Sequence, residues 1–244
     1  MGSPTAAALF ETQAKCSIPG WLAEEAFRGR ATPADLSVTC THADMEAEGE
    51  AAGPGDGGGF DALVCVEGIE HVIDRHRTLT NFRRRLRTGG RLLITTPNLL
   101  SLRARLAYLL AGQRAFKSSI DEYTSVWGIS PDRARIYHGH AFLLTYFQLR
   151  YSLHHCGFRI KRLWASNWSP SSLVLTPLVP LIWAGTRISE RPAHKKFAQR
   201  VDAGWMPRGT PAPFDAIRSD VLSASMLLNA TLIVDAEAVD RVGL

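Results

Sequence analysis

The sequence has no CxxC pair, no internal repeat, and no apolar run long enough to span a bilayer. Its four cysteines, Cys16, Cys40, Cys65 and Cys156, are widely spaced. The last three sit in apolar runs, where a thiol behaves as a small hydrophobe. This pattern excludes a disulfide framework and predicts reduced core residues in a cytoplasmic protein. The most apolar stretch, Leu173 to Ala184, is too short to cross a membrane and is interrupted by Pro177 and Pro180. It reads either as a covering segment of the core or as a surface touching membrane or a lipid-linked substrate. Glu11 and Lys15 follow only a short apolar patch, so neither a signal peptide nor a membrane anchor is expected at the N-terminus. Charged residues make up 21% and hydrophobic residues 45% of 244 residues, which excludes a disordered tail and suffices for one sizeable core. The net charge of +5 suits an anionic partner or reflects only an Arg- and Ala-rich composition. No clustered basic and aromatic face supports a nucleic-acid partner.

What is present is an alternation of strands and helices. Trp21 to Arg30 could form a short helix, and Leu36 to Thr41 alternates like a strand that ends before Asp44-Met45. Residues 46–59 are rich in Glu, Ala, Gly and Pro and read as a loop. Phe60 to Val66 (FDALVCV) is the near-continuous apolar run of a parallel strand buried on both faces. Leu79, Phe82 and Leu86 recur at helical steps, predicting a helix from about Asp74 to Arg87 that Gly89-Gly90 would cap. Strands are expected at Arg91 to Thr95, Phe158 to Trp164 and Ala230 to Ala236, and helices at Leu99 to Leu110 and Tyr146 to Cys156. The Pro-, Gly- and Arg-rich residues 185–215 read as loop. The pattern predicts an α/β fold with a mostly parallel sheet and a ligand at the carboxyl ends of the strands.

Three pieces in order carry a resemblance: FDALVCVEGIEHV (60–72), LRTGGRLLITTPNLLSLRARL (86–106) and HAFLLTYFQLRYSLHHCGF (140–158), followed by MLLNATLIVDAE near the C-terminus. Together they resemble the second half of a class I S-adenosylmethionine-dependent methyltransferase. The similarity covers roughly residues 36–165 and 226–237. It implies a Rossmann-like methyltransferase sheet, mostly parallel with an antiparallel final strand. It implies S-adenosylmethionine as cofactor, with Asp44 and Met45 matching the acidic dipeptide that holds the adenine. Val66 matches the strand tip that lies against the cofactor. In such proteins a strand followed by GxGxG precedes these pieces, because glycine lets backbone amides approach the ligand closely. Residues 1–35 contain only Gly2, Gly20 and Gly29, with no GxG. The glycines of GPGDGGG (53–59) lead into a strand instead of leaving one, and read as a linker. The expectation is therefore a sheet whose first two strands are absent. That would leave an open apolar edge, to be covered by residues 36–41, by an oligomer or partner chain, or by residues lost to a coding start placed too late. Residues 1–35 are expected to be a poorly defined segment. Residues 36–244 are expected to be one domain, with an insertion near 113–137 and an irregular segment near 169–215.

Glu67, Glu70, His71 and His140 form the second constellation. If residues 69–72 turn helically after the strand, the first three point one way, and His140, leading the later helix, could close over them. Two carboxylates and two imidazoles suit a divalent ion such as Mg²⁺, Mn²⁺ or Zn²⁺. Similar Glu-x-x-Glu-His pieces bind a divalent ion in the ubiquinone-pathway O-methyltransferases and in small-RNA 2′-O-methyltransferases, which also use a later His. Alternatively His71 with Glu67 acts as the base that deprotonates a hydroxyl, or Glu70-His71 merely orients the turn. Tyr123, Trp127 and Tyr146 could line an acceptor pocket or belong to the core, and Arg103, Arg105 and Arg150 read as solvated or as a phosphate grip. The expected function is methyl transfer to a hydroxyl of a small molecule, lipid or glycan. A catalytically inactive, partner-binding protein of the same fold is the alternative.

Overall fold

The computed structural model describes residues 60–114, 125–129, 136–205 and 212–239. The expected helix at 21–30, the strand at 36–41, Asp44, Met45 and the strands predicted to be absent lie outside the described residues. The chain forms two compact units. One comprises Met1–Pro97, Lys117–Leu163 and Thr231–Leu244, the other Asn98–Phe116 and Trp164–Ala230.

The first unit is built on a four-stranded sheet in the order β1-β2-β6-β5, formed by β1 (Phe60–Val66), β2 (Leu86–Pro97), β5 (Phe158–Trp168) and β6 (Asn229–Ala238). β1 and β2 are parallel, with Cys65 opposite Ile94. β6 returns antiparallel to β2, pairing Ile94 with Val234. The fold is thus the expected α/β, Rossmann-like mixed sheet, and its last strand is the antiparallel one. Leu92, Ile94, Cys65 and Val234 are buried, but β1 is not buried on both faces as its apolar run predicted, since Ala62 and Val66 are exposed and Val64 is half-buried.

Helix α1 (Arg75–Arg85) starts where Asp74 accepts from the Arg77 amide at 2.9 Å, and buries Leu79 and Phe82. It ends at Arg85, two residues before the predicted stop, and Leu86 is already extended. The glycine pair therefore does not cap this helix. Gly89 adopts φ +81° inside β2, where the register against β1 jumps from Phe60–Leu86 to Ala62–Arg91. A Cβ on Gly90 would lie 2.9 Å from the Arg87 carbonyl and 3.1 Å from that of Phe60. The two glycines absorb a bulge between the parallel strands.

Between the sheet strands lies a small antiparallel pair, β3 (Val126–Ile129) and β4 (Ile136–His138), within the predicted insertion. A 3₁₀ turn at His140–Phe142 follows. His140 does not lead the next helix. Thr145 does, in a reciprocal capping box with Gln148, and opens α3 (Tyr146–His155), which Gly157 at φ +84° terminates. Tyr146 is buried, and its hydroxyl accepts from Arg150 at 2.8 Å. It belongs to the core, not to an acceptor pocket.

In the second unit, α2 (Leu102–Ala111) begins at the Ser101 cap and stops at Gly112, φ +66°. The unit continues with α4 (Pro170–Val174), a 3₁₀ turn at Thr176–Leu178, α5 (Val179–Asp202), α6 (Phe214–Leu222) and α7 (Ala224–Leu228). The expected irregular segment at 169–215 is therefore largely helical. Its half-buried residues, Ile182, Thr186, Glu190, Ala193, Phe197 and Val201, recur at three- and four-residue steps. That stripe packs on α6 through Phe197 against Phe214 (5.9 Å between ring centroids) and Glu190 against Arg218 (2.8 Å). Packing of this kind outweighs the helix-breaking cost of Gly185 and Pro192, which composition alone weighs most heavily. Arg105 is not a solvated or phosphate-gripping side chain. Its Nε donates to the Leu100 carbonyl at 2.7 Å and its NH2 group to that of Val221 at 3.0 Å.

Candidate active site

β1 delivers the site at its carboxyl end. Val66, the last strand residue, is 48% exposed, which gives an apolar face at the strand tip. Glu67 follows in the left-handed region at φ +46°. Its N–H donates to both the carbonyl and the hydroxyl of Thr95, each at 3.0 Å, and so ties the turn to the neighbouring strand end. The His71 N–H then donates to the Gly68 carbonyl at 3.0 Å. Residues 67–74 form a sequence of bends and turns instead of the helical turn expected at 69–72.

This path sends the Glu70 side chain inward, where it is completely buried. Its Oε2 accepts from the Thr96 hydroxyl at 3.1 Å. Its Oε1 has no hydrogen-bond partner among the described residues and lies 4.0 Å from His140 Nε2. Burial pushes the Glu70 carboxyl up to about 7, and the nearby Glu67 charge adds to the shift. Hydrogen bonds from the backbone and from Thr96 counteract it in part. The Glu67 Oε1 is likewise buried without a hydrogen-bond partner among the described residues. Two carboxyl oxygens without a donor at one place are uncommon in a folded interior; a proton held by Glu70 and shared with Glu67, or a cation, satisfies them.

His71 is buried, with Nδ1 3.0 Å from the Gly139 carbonyl. A carbonyl only accepts, so Nδ1 carries the proton, and in the neutral ring Nε2 is the lone-pair atom. The His140 ring lies 5.0 Å from that of His71, centroid to centroid, tilted by 43°. Glu70, His71 and His140 each offer one ligand atom, all within 4.8 Å of one another. Around an ion with bonds of about 2.0–2.2 Å, ligand atoms stand roughly 3.5 Å apart, so the three groups must close by about an ångström to share one. Glu67, predicted as a fourth ligand, lies outside this set; it adjoins Glu70 and acts on its charge.

Sequence reasoning assigned no role to Thr95, Thr96 and Gly139, the groups that hold the turn and orient Glu70 and His71. Thr95 and Thr96 carried a readable signal, since hydroxyl residues at one strand end can satisfy acids at the end of its neighbour. Gly139 acts through its carbonyl, which no side-chain pattern reveals. Asp44, Met45 and the Trp127 side chain lie outside what the structure describes.

The methyltransferase-domain family matches residues 18–163, more than half of the chain, including β1, the Glu70 turn, β2 and His140. The chain belongs to this family. It is a class I S-adenosylmethionine-dependent methyltransferase by family and fold. The match begins upstream of residue 36, where the resemblance read from the sequence started. Among solved structures, the methyltransferase resembles an S-adenosylmethionine-dependent methyltransferase of Listeria monocytogenes at 9% identity and TM-score 0.44, over 91% of this chain and 78% of that one. One from Mesorhizobium loti is similar at 15% identity and TM-score 0.39, over 88% and 74%. Another, from Methanosarcina mazei, is similar at 13% and 0.41, over 90% and 77%. No curated protein sequence matches.

Proposed function

We propose that this methyltransferase transfers a methyl group to a hydroxyl oxygen of a small molecule, lipid or glycan, with Glu70, His71 and His140 holding a divalent cation beside the acceptor. The observation that carries the reading is the convergence of these three ligand atoms on the buried, unsatisfied Oε1 of Glu70. One carboxylate and two imidazoles form a donor set that suits Mn²⁺, Fe²⁺ or Zn²⁺ better than Mg²⁺. A cation there would neutralise the two unsatisfied carboxylate oxygens and favour the ionised form of a nearby hydroxyl.

S-adenosylmethionine supplies an electrophilic methyl group on a sulfonium centre. The described residues fit it on one side. Val66 presents an exposed apolar surface at the carboxyl end of a parallel strand, where nucleosides bind in sheets of this type. The acceptor hydroxyl must lose its proton as its oxygen gains the methyl group. His140, whose side chain is 42% exposed, is the accessible group of the cluster; holding the cation would use its one lone pair, so the proton would leave the acceptor hydroxyl for solvent, its release favoured by the cation. His71, buried and fixed by Gly139, positions the cluster. Alignment of hydroxyl and methyl provides the rest of the rate enhancement.

Residues 1–35 contain no GxG, which favours a second reading: a methyltransferase fold that binds a partner and no cofactor. Calorimetry with S-adenosylhomocysteine separates the two. Affinity in the micromolar range supports the enzyme; no binding at millimolar ligand sinks it in favour of the partner-binding protein. Metal content after dialysis against Mn²⁺ or Zn²⁺ tests the cation separately, and a wild-type protein that retains no more metal than H140A refutes the cation while leaving methyl transfer standing.

A further inference from the structure

The second unit carries an apolar surface that the methyl-transfer site does not use. On α4 and the 3₁₀ turn, Leu173, Val174 and Leu178 are exposed, Val174 to 78%. On α5, Leu181 is 72% and Ile188 66% exposed, and Trp183 is half exposed. Trp168, at the end of β5, is 66% exposed. A scattered exposed Leu needs no explanation, but Leu181 and Ile188 are seven residues apart and stack on one helix face. That face is opposite the half-buried stripe that packs on α6.

Farther along, the outward side becomes basic at Arg191, Lys195 and Lys196, with Arg187 and Arg200 on its flanks. Arg187, Arg191, Lys195, Lys196 and Arg200 lie on α5 with only two carboxylates, Glu190 and Asp202, and Glu190 is already paired with Arg218. The Arg187 guanidinium lies 5.1 Å from the centroid of the Trp183 ring, and that of Arg200 lies 5.8 Å from the Trp205 ring. No helix among the described residues is long and apolar enough to cross a membrane. The helix is therefore apolar at its start, basic towards its end, and bordered by indoles, a combination suited to lying on a charged lipid surface.

We infer that α4 and α5 form a docking face for an anionic bilayer, with Val174, Leu181 and Ile188 entering the acyl boundary and Arg191 and Lys195 resting on the headgroups. Charge decides between this occupant and a second copy of the chain. Two copies of α5 packed parallel would oppose their cations, and packed antiparallel would press cations onto Leu181 and Ile188. An anionic lipid surface meets both halves of the helix at once.

The test is flotation of the full chain with vesicles made of two parts phosphatidylcholine to one part phosphatidylglycerol, beside vesicles of phosphatidylcholine alone. The expected result is binding to the mixed vesicles, little binding to the neutral ones, and release by high salt. The L181E/I188E variant should no longer float while keeping the wild-type circular dichroism and melting curve, because both side chains are exposed. R191E/K195E should weaken vesicle affinity by about tenfold or more. Failure of the wild type to float, or flotation unaffected by both variants, overturns the inference. So does a dimer in light scattering that L181E/I188E dissociates without any vesicle binding. None of these outcomes bears on methyl transfer.

Discussion

Substituting Glu70 by Gln tests the electrostatics of the site directly. In the folded protein burial holds the carboxyl at about 7, whereas in the unfolded chain it returns to its ordinary value of 4.5. The folded state therefore binds the proton more tightly. The stability that protonated Glu70 provides is complete below pH 4.5 and is lost as the pH rises through about 7. Ionising the buried group costs the wild type roughly 1 kcal/mol at pH 5 and roughly 3 kcal/mol at pH 8. Glutamine is neutral throughout and its amide oxygen still accepts from Thr96. With a chelator present, E70Q should thus gain roughly 2 kcal/mol over wild type on going from pH 5 to pH 8. Urea unfolding at the two pH values measures it. Mn²⁺ or Zn²⁺ at pH 8 should then stabilise the wild type and not E70Q, because only the carboxylate meets the ion. A stability difference between the two proteins that is the same at both pH values would refute the buried, cation-seeking carboxyl.

Three further outcomes follow from the geometry. Asn98→Ala removes the amide that donates at 2.7 Å to the carbonyls of Met226 and Asn229 and accepts from the Leu100 amide. It should cost about 2–4 kcal/mol in urea unfolding, since the buried groups it satisfies are left without it. Gly90→Ala places a methyl group against two backbone carbonyls, and should lower stability by about 1–3 kcal/mol; circular dichroism melting reads it. H140A should lose bound metal while its melting temperature without metal stays within about 3 °C of wild type, because the side chain is 42% exposed.

The strands were legible because their apolar runs stand out from the flanking Gly- and Arg-rich segments, although only one face of β1 is buried, and the antiparallel return of β6 followed from the family pattern. Helix α3 announced its end through Gly157, whereas its Thr145–Gln148 cap went unread and His140 was expected to lead it. The Gly89-Gly90 pair misled, because a helix cap and a strand bulge call for the same left-handed glycine, and only the pairing partner tells them apart. Helix α5 was hidden by Gly185 and Pro192, whose local cost is visible in composition while the compensating contact with Phe214 and Arg218 is not. At the site, Glu70, His71 and His140 could be read as a set from residue type. Their order of burial could not, since it depends on the two threonine hydroxyls and on a glycine carbonyl.

Glu67 combines two unfavourable features. Its backbone sits at φ +46°, where glycine would be relaxed and a side chain costs about 1 kcal/mol. The side chain then puts an oxygen into the interior with no hydrogen-bond partner among the described residues. A sequence selected for foldability alone would place glycine at 67 and remove both defects together. E67G should therefore melt higher than the wild type, and whatever capability disappears from that more robust protein identifies what the glutamate is there to do.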